Sequence, residues 1–152
     1  MRLSLAVALV FASATAARAG SSSSLLDLSA DGTRLLVANT DTGSVSVIDV
    51  KARQKLHEVA VGDHPEGVAW AGNVALATVY GDDAVQFVET ATGKIVHTLA
   101  VADEPYGIVT TRDGKFAYVT HDNPGTVSEI DVASRKVTRT VAVGHGCRGL
   151  AI

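Results

Sequence analysis

The sequence predicts an all-β fold, a β-propeller of four-stranded antiparallel blades, and three observations point to it. A linker-like block recurs at steps of 40 and 42 residues. Each period divides into four short segments separated by turn residues, which is the make-up of a propeller blade. The composition favours β-branched Val and Thr with Ala and Gly over the helix formers Glu, Lys and Leu, and branched side chains suit a pleated sheet.

The first 19 residues stand apart. Arg2 precedes an uncharged apolar or small stretch from Leu3 to Ala16, and Ala17-Arg18-Ala19 offers a small-x-small cleavage site before Gly20. That stretch is 14 residues, short of the roughly 20 that span a bilayer as a helix, so it reads as a cleaved export signal and predicts a periplasmic or extracellular protein. No later stretch is long and apolar enough to span a membrane. Residues 20–24 are a Ser-rich tether and the propeller occupies 25–152. Removing Arg2 and Arg18 with the signal takes the formal charge from −3 to −5. Such an acidic balance, without a Lys/Arg cluster, gives no footprint for nucleic acid. A single cysteine, Cys147, provides no internal disulfide framework, and no Cys-x-x-Cys-His is present for covalent haem.

The blades follow in order. The first (25–61) has strands expected at 25–29, 35–39, 44–49 and 55–61. The second (67–101) has them at 67–70, 74–80, 84–89 and 94–101. The third (107–143) has them at 107–111, 116–120, 126–131 and 136–143, and 149–152 is expected to begin a fourth blade. Asp31-Gly32 and Asp113-Gly114 are tight-hairpin dipeptides, because Gly tolerates the positive φ such turns need. Ala71-Gly72-Asn73 replaces them with a shorter turn in the second blade. Asp49, Glu89 and Asp131 end three matching strands. Inner strands such as Ser44-Val-Ser-Val-Ile-Asp49 are not strictly alternating, as expected where neighbouring blades cover both faces. The fourth strands, such as Lys136 to Val141, alternate like an outer edge. A β-sandwich or a solenoid of hairpins is the alternative architecture, and the four-strand period favours the propeller.

The recurring block is Val61-Gly-Asp-His-Pro65-Glu-Gly67-Val68, then Val101-Ala-Asp-Glu-Pro105-Tyr-Gly107-Ile108, then Val143-Gly-His-Gly-Cys147-Arg-Gly149-Leu150. Its glycines are constant, as a close-packed backbone requires, while the residues before them change. Phe116-Ala-Tyr118-Val119-Thr120-His121 after Asp113-Gly114 resembles the motif of the YVTN family of propeller repeats, with His121 where Asn is usual. Leu36-Val-Ala-Asn39 keeps that Asn. Thr126-Val-Ser-Glu-Ile-Asp131, Ser44-Val-Ser-Val-Ile-Asp49 and the linker Val61-Gly-x-x-Pro65-x-Gly67 resemble the family's other landmarks. The resemblance covers residues 25–152, with the second unit departing most at Ala77-Thr78-Val79-Tyr80.

The resemblance implies an exported bacterial propeller. Relatives include surface-layer proteins, periplasmic binding propellers and propellers beside cytochrome or quinoprotein modules. It implies a ring of about seven blades, where a closed propeller takes roughly 4–8. This chain carries three blades and the expected start of the next. Two explanations follow: a longer gene product, which the abrupt stop at Ile152 favours, or several copies that associate to complete a ring.

The propeller also implies which loops share a face. The blade connections and the turns between second and third strands open together, and this face collects the candidate ligand-binding residues Asp63, His64, Glu66, Glu104, Tyr106, His121, His145 and Arg148. It also receives Asp41, Asp82, Asp83, Asp103 and Asp122. Constant glycines with changing exposed side chains suit a surface tuned blade by blade, and unconstrained surface drift leaves the same pattern. His145 and Cys147 are weak candidate metal ligands: imidazole and thiolate suit Zn, Cu or Fe, but the spacing matches no strong metal motif. No cofactor is predicted, and haem or metal enters only with further blades. His57 and His97 read as solvated outer-strand residues and Trp70 as core. There is no Gly-x-Ser-x-Gly elbow, and the Asp82-Asp83 pair reads as a solvated turn. The expected function is therefore a non-catalytic binding scaffold for a protein, surface polymer or small ligand. A periplasmic redox or lyase propeller, with active-site residues partly in other blades, is the alternative.

Overall fold

Each period folds back on itself three times, and its turn residues decide where. In the computed structural model, which describes residues 25–152, Asp31 Oδ1 accepts hydrogen bonds from the Ser29 and Thr33 hydroxyls and from the Thr33 N–H, while Gly32 takes φ +70°. These bonds, that from Ser29 first, hold the Asp31 carboxyl down at about 2. Asp113 and Gly114 repeat the arrangement with Thr111 and Lys115. The acids that end the third strands have a similar use. Asp49 Oδ1 accepts from the Ala52 N–H at 2.8 Å and Asp131 Oδ1 from the Ser134 N–H at 2.7 Å, each closing the following turn. The export signal and the Ser-rich tether lie outside the described residues.

Twelve strands result: β1 (Leu26–Leu28), β2 (Arg34–Asn39), β3 (Ser44–Asp49), β4 (Gln54–Ala60), β5 (Pro65–Ala71), β6 (Val74–Val79), β7 (Ala84–Glu89), β8 (Lys94–Ala100), β9 (Pro105–Thr110), β10 (Phe116–His121), β11 (Thr126–Asp131) and β12 (Lys136–Ala142). They form three four-stranded antiparallel sheets in sequence order, β1–β4, β5–β8 and β9–β12. The innermost strands β1, β5 and β9, with residues 150–152, line a common cavity of about 590 Å³. The described chain is thus three consecutive blades of a β-propeller.

Two departures from expectation have physical causes. The innermost strands of blades two and three begin at Pro65 and Pro105 rather than at the glycines, and the register shifts between Pro65 and Gly67. A bulge absorbs the irregularity that proline, lacking an N–H, introduces into a ladder. Residues 149–152, expected as the first strand of a further blade, form no strand. In each blade the innermost strand bonds only to the second strand of that blade, and among the described residues none pairs with 149–152.

The core lies between the sheets. Leu36, Ala38, Val45 and Val47 of blade one meet Val68, Ala75, Ala77, Val79 and Val88 of blade two. The other face of blade two sends Ala69, Ala71, Leu76, Val85 and Phe87 against Ile108, Ala117, Val119 and Ile130 of blade three. Blade two is therefore covered on both sides, which explains why Ala84-Val-Gln-Phe-Val88 is buried throughout while the equivalent β11 of blade three is only partly buried. Backbone also meets backbone: a Cβ on Gly67 would lie 2.6 Å from Tyr106 O, and one on Gly107 2.2 Å from Arg148 O. Gly67 and Gly107 admit the chain of the next repeat.

Buried polar groups pin the connections. Gln86 Nε2 donates to Val61 O at 3.0 Å, and Thr78 Oγ1 donates to Tyr106 O at 2.6 Å. Thr120 Oγ1 makes the equivalent bond to Arg148 O at 3.2 Å. In blade three His121 does the pinning: Nδ1 is 3.0 Å from Ala102 O and Nε2 3.0 Å from Ser128 Oγ. A carbonyl only accepts, so Nδ1 carries the proton and Nε2 accepts from the serine. Burial pushes this imidazole below its ordinary value of 6.5, outweighing the bonds to the Asp103 and Ala102 carbonyls and the charges of Asp103 and Asp83. As pH falls the unfolded chain binds its proton first. The stability tied to neutral His121 is therefore complete above about pH 6.5 and is lost as pH drops through the lowered folded value. His121→Asn, which installs the residue that blade one uses at Asn39, is expected to flatten the loss of thermal stability between neutral pH and about pH 5. Melting curves across that range check this, and an unchanged slope contradicts it.

Candidate functional site

The connections between blades and the turns between second and third strands meet on one face, and the backbone joins them. Tyr80 N–H donates to His64 O at 2.9 Å and Gly81 N–H to Asp63 O at 3.0 Å. Asp122 N–H donates to Glu104 O and Gly146 N–H to Asp122 O, both at 3.1 Å. The aspartates of the turns answer in kind, Asp82 Oδ2 accepting from the Asp63 N–H and Asp83 Oδ1 from the Glu104 N–H. Three equivalent linker positions, His64, Glu104 and Gly146, are left-handed at φ +54°, +54° and +75°. Glycine adopts that conformation without strain, whereas His and Glu bear a cost of order 1 kcal/mol. At those two positions a side chain is kept on this face where none is easiest.

On this frame stands a cluster of unlike groups. The rings of Tyr80 and Tyr106 meet edge to face with centroids 6.2 Å apart, the arrangement that ring quadrupoles favour. Arg148 lies over the Tyr106 ring with its guanidinium carbon 5.0 Å from the centroid, a cation–π contact. Its Nε and Nη2 donate to Asp122 Oδ2 at 2.9 and 2.7 Å. The Asp122 side chain is 12% exposed while that of Arg148 is 60% exposed, so the carboxylate anchors and the guanidinium faces outward. The Asp122 bond raises Arg148 further above its already high value. Burial and then Glu104 push the Tyr80 phenol upward, so it stays protonated as a donor. Glu104 Oε2 also accepts from the Asn123 N–H at 3.1 Å.

The cluster unites Glu104, Tyr106 and Arg148 among the expected site residues. Asp63 and His64 lie exposed in the first linker, paired to each other at 2.6 Å, and Glu66 is half-buried on β5. His145 is exposed, its Nδ1 against Asn123 O. His121 is not on this face: it is fully buried, because its ring is consumed in pinning the linker. Cys147 turns its sulfur to the carbonyls of His121 (3.2 Å) and Thr126 (3.6 Å). Among the described residues no three His, Cys, Asp or Glu side chains gather as a metal site, and no helix is long and apolar enough to cross a membrane. Tyr80 was missed by sequence reasoning. Its signal was a spacing: Tyr80 to Tyr106 and Asp122 to Arg148 are both 26 residues, each pairing a turn with the linker that follows.

No protein-family model matches the chain, and no curated protein matches it. Solved structures do. Hydrazine synthase of Kuenenia stuttgartiensis is similar at TM-score 0.75 and 27% identity, over 80% of this chain and 36% of that one. The WD40 repeats of RRP9 are similar at TM-score 0.71 and 20% identity, over 82% and 39%. A chain of the mitotic checkpoint complex is similar at TM-score 0.69 and 22% identity, over 76% and 36%. The propeller fold is common to them, and this chain spans little more than a third of their length.

Proposed function

We propose that the chain is an exported propeller of the YVTN type, part of a larger ring of about seven blades, that binds a protein partner through its blade-connecting loops without catalysing a reaction. The observation that carries this is the Tyr80–Tyr106–Arg148–Asp122 cluster. Tyrosine and arginine are, with tryptophan, the residues most enriched where binding energy concentrates, and here both rest on a backbone frame that repeats from blade to blade. The apolar stretch before Gly20 supports export to the periplasm or cell exterior. Among the cluster's groups are acids, phenols and a guanidinium, and none is an activated nucleophile.

The test is retention from the exported fraction of the native cell. Immobilised wild-type chain is expected to hold a partner protein that Tyr106→Ala/Arg148→Ala holds about 30-fold less, the size of a 2 kcal/mol anchor. Lys115→Glu, on the opposite end of the blade, is expected to hold it unchanged. Equal retention by the double variant overturns the assignment, and recovery of a glycan or small molecule instead of a protein replaces the partner class.

The likeness to hydrazine synthase favours a second reading, a periplasmic redox propeller whose cofactor ligands lie in further blades. An absorption spectrum of the protein from its native source separates the two: a haem or quinone band supports the second reading, and its absence the first.

A further inference from the structure

The two interfaces between blades can be compared position by position, because the repeat supplies the alignment. Between blades two and three the Phe87 ring fills the gap near the outer strand. It meets His97 edge to face at 5.4 Å and lies 6.0 Å beneath the guanidinium of Arg135, which donates to Val96 O at 3.2 Å. Val74 and Val132 close the sides.

Between blades one and two the same positions hold Val47 for Phe87, His57 for His97, Gly93 for Arg135, Arg34 for Val74 and Thr90 for Val132. The phenyl ring and its covering guanidinium are both gone, and the imidazole remains. What opens is a groove of about 430 Å³ lined by Arg34, Val47, Leu56, His57, Trp70 and Thr90. Trp70 replaces Thr110 on its inner wall and is held there by its backbone N–H on Asp27 Oδ2 at 2.8 Å and its indole N–H on Asp27 O at 3.0 Å. Arg34 brings a cation to the rim, where its nearest carboxylate oxygen, on Asp49, is 3.7 Å away. That is longer than a hydrogen bond, and a guanidinium offers five N–H donors.

We propose that this groove is a binding site for a small aromatic carboxylate. The ligand's ring sits in the groove just outside Val47, itself 1% exposed, edge to face with His57 and against the Trp70 indole. Its carboxylate meets Arg34, where a planar anion can accept two parallel N–H bonds. The groove opens at the side of the blades, away from the Tyr106–Arg148 cluster, so this site stands whether or not that face binds a protein.

Trp70 is the only tryptophan in the chain, so its emission reports the groove directly. Titration with phenylacetate is expected to change that emission saturably, and calorimetry to give the same affinity. Val47→Phe, which extends the ring found in blade two from a buried position into the groove, is expected to weaken binding at least about tenfold in a chain that circular dichroism shows still folded. Arg34→Gln is expected to weaken phenylacetate about tenfold, the worth of a charged hydrogen bond, and to leave the weaker binding of neutral phenylacetamide unchanged. Absence of saturable binding by both methods overturns the proposal. So does a folded Val47→Phe chain that binds like the wild type, and equal loss of acid and amide in Arg34→Gln removes the carboxylate from it.

Discussion

Phe87→Ala is expected to cost about 3–5 kcal/mol of unfolding free energy, the range for emptying an aromatic site in a packed core. Phe87 is 1% exposed and stands between Leu76 and Val85 of its own blade and Ala117, Val119 and Ile130 of the next. Its ring also organises His97 and Arg135. The alanine variant would therefore leave a void and release the contact that joins the outer ends of blades two and three. Urea denaturation followed by circular dichroism measures the loss as a lower midpoint at constant slope. A cost below about 1 kcal/mol would mean that the two blades do not pack through this ring.

Gly67→Ala is expected to cost about 1–3 kcal/mol or more, as overpacking does. The added methyl would lie 2.6 Å from Tyr106 O, 2.9 Å from Thr78 Oγ1 and 3.1 Å from Ile108 Cγ2. The first of these is backbone of the adjacent blade and cannot swing aside. Gly149 occupies the same repeat position with nothing within 4 Å of its added Cβ, so Gly149→Ala in this chain is expected to stay within about 0.5 kcal/mol of wild type. The pair of variants, melted side by side, separates a packing requirement from any general dislike of alanine at the position. Equal costs would show that the next repeat's backbone is not the cause.

The blade period, the hairpin glycines and the four-strand division were legible because turns and short buried strands are local chemistry. The three linkers align through their glycines, and the structure gives Gly67 and Gly107 a reason in the backbone of the next repeat. What stayed hidden depended on neighbours in space. His121 was placed on the loop face because it follows the motif that ends a second strand. Only the fold shows its ring turned inward to a carbonyl of the incoming linker. Asp49 and Asp131 were seen as recurring, but that each closes its following turn through a backbone N–H needed coordinates. Tyr80 stood out in the sequence only as a departure from the repeat, and its place in the site shows when its ring meets Tyr106. The groove beside Trp70 was invisible for the same reason, since a small residue at Val47 means nothing until Phe87 shows what fills that place elsewhere.

The most direct test of the account is site-specific photo-crosslinking in the native cell, with a benzophenone amino acid placed at Tyr106 and, separately, at Lys115 on the opposite end of the blades. The account predicts a discrete, ultraviolet-dependent adduct from position 106, identifiable by mass spectrometry, and none from position 115. An adduct from position 115 with none from 106 would contradict it and move the binding surface to the other face.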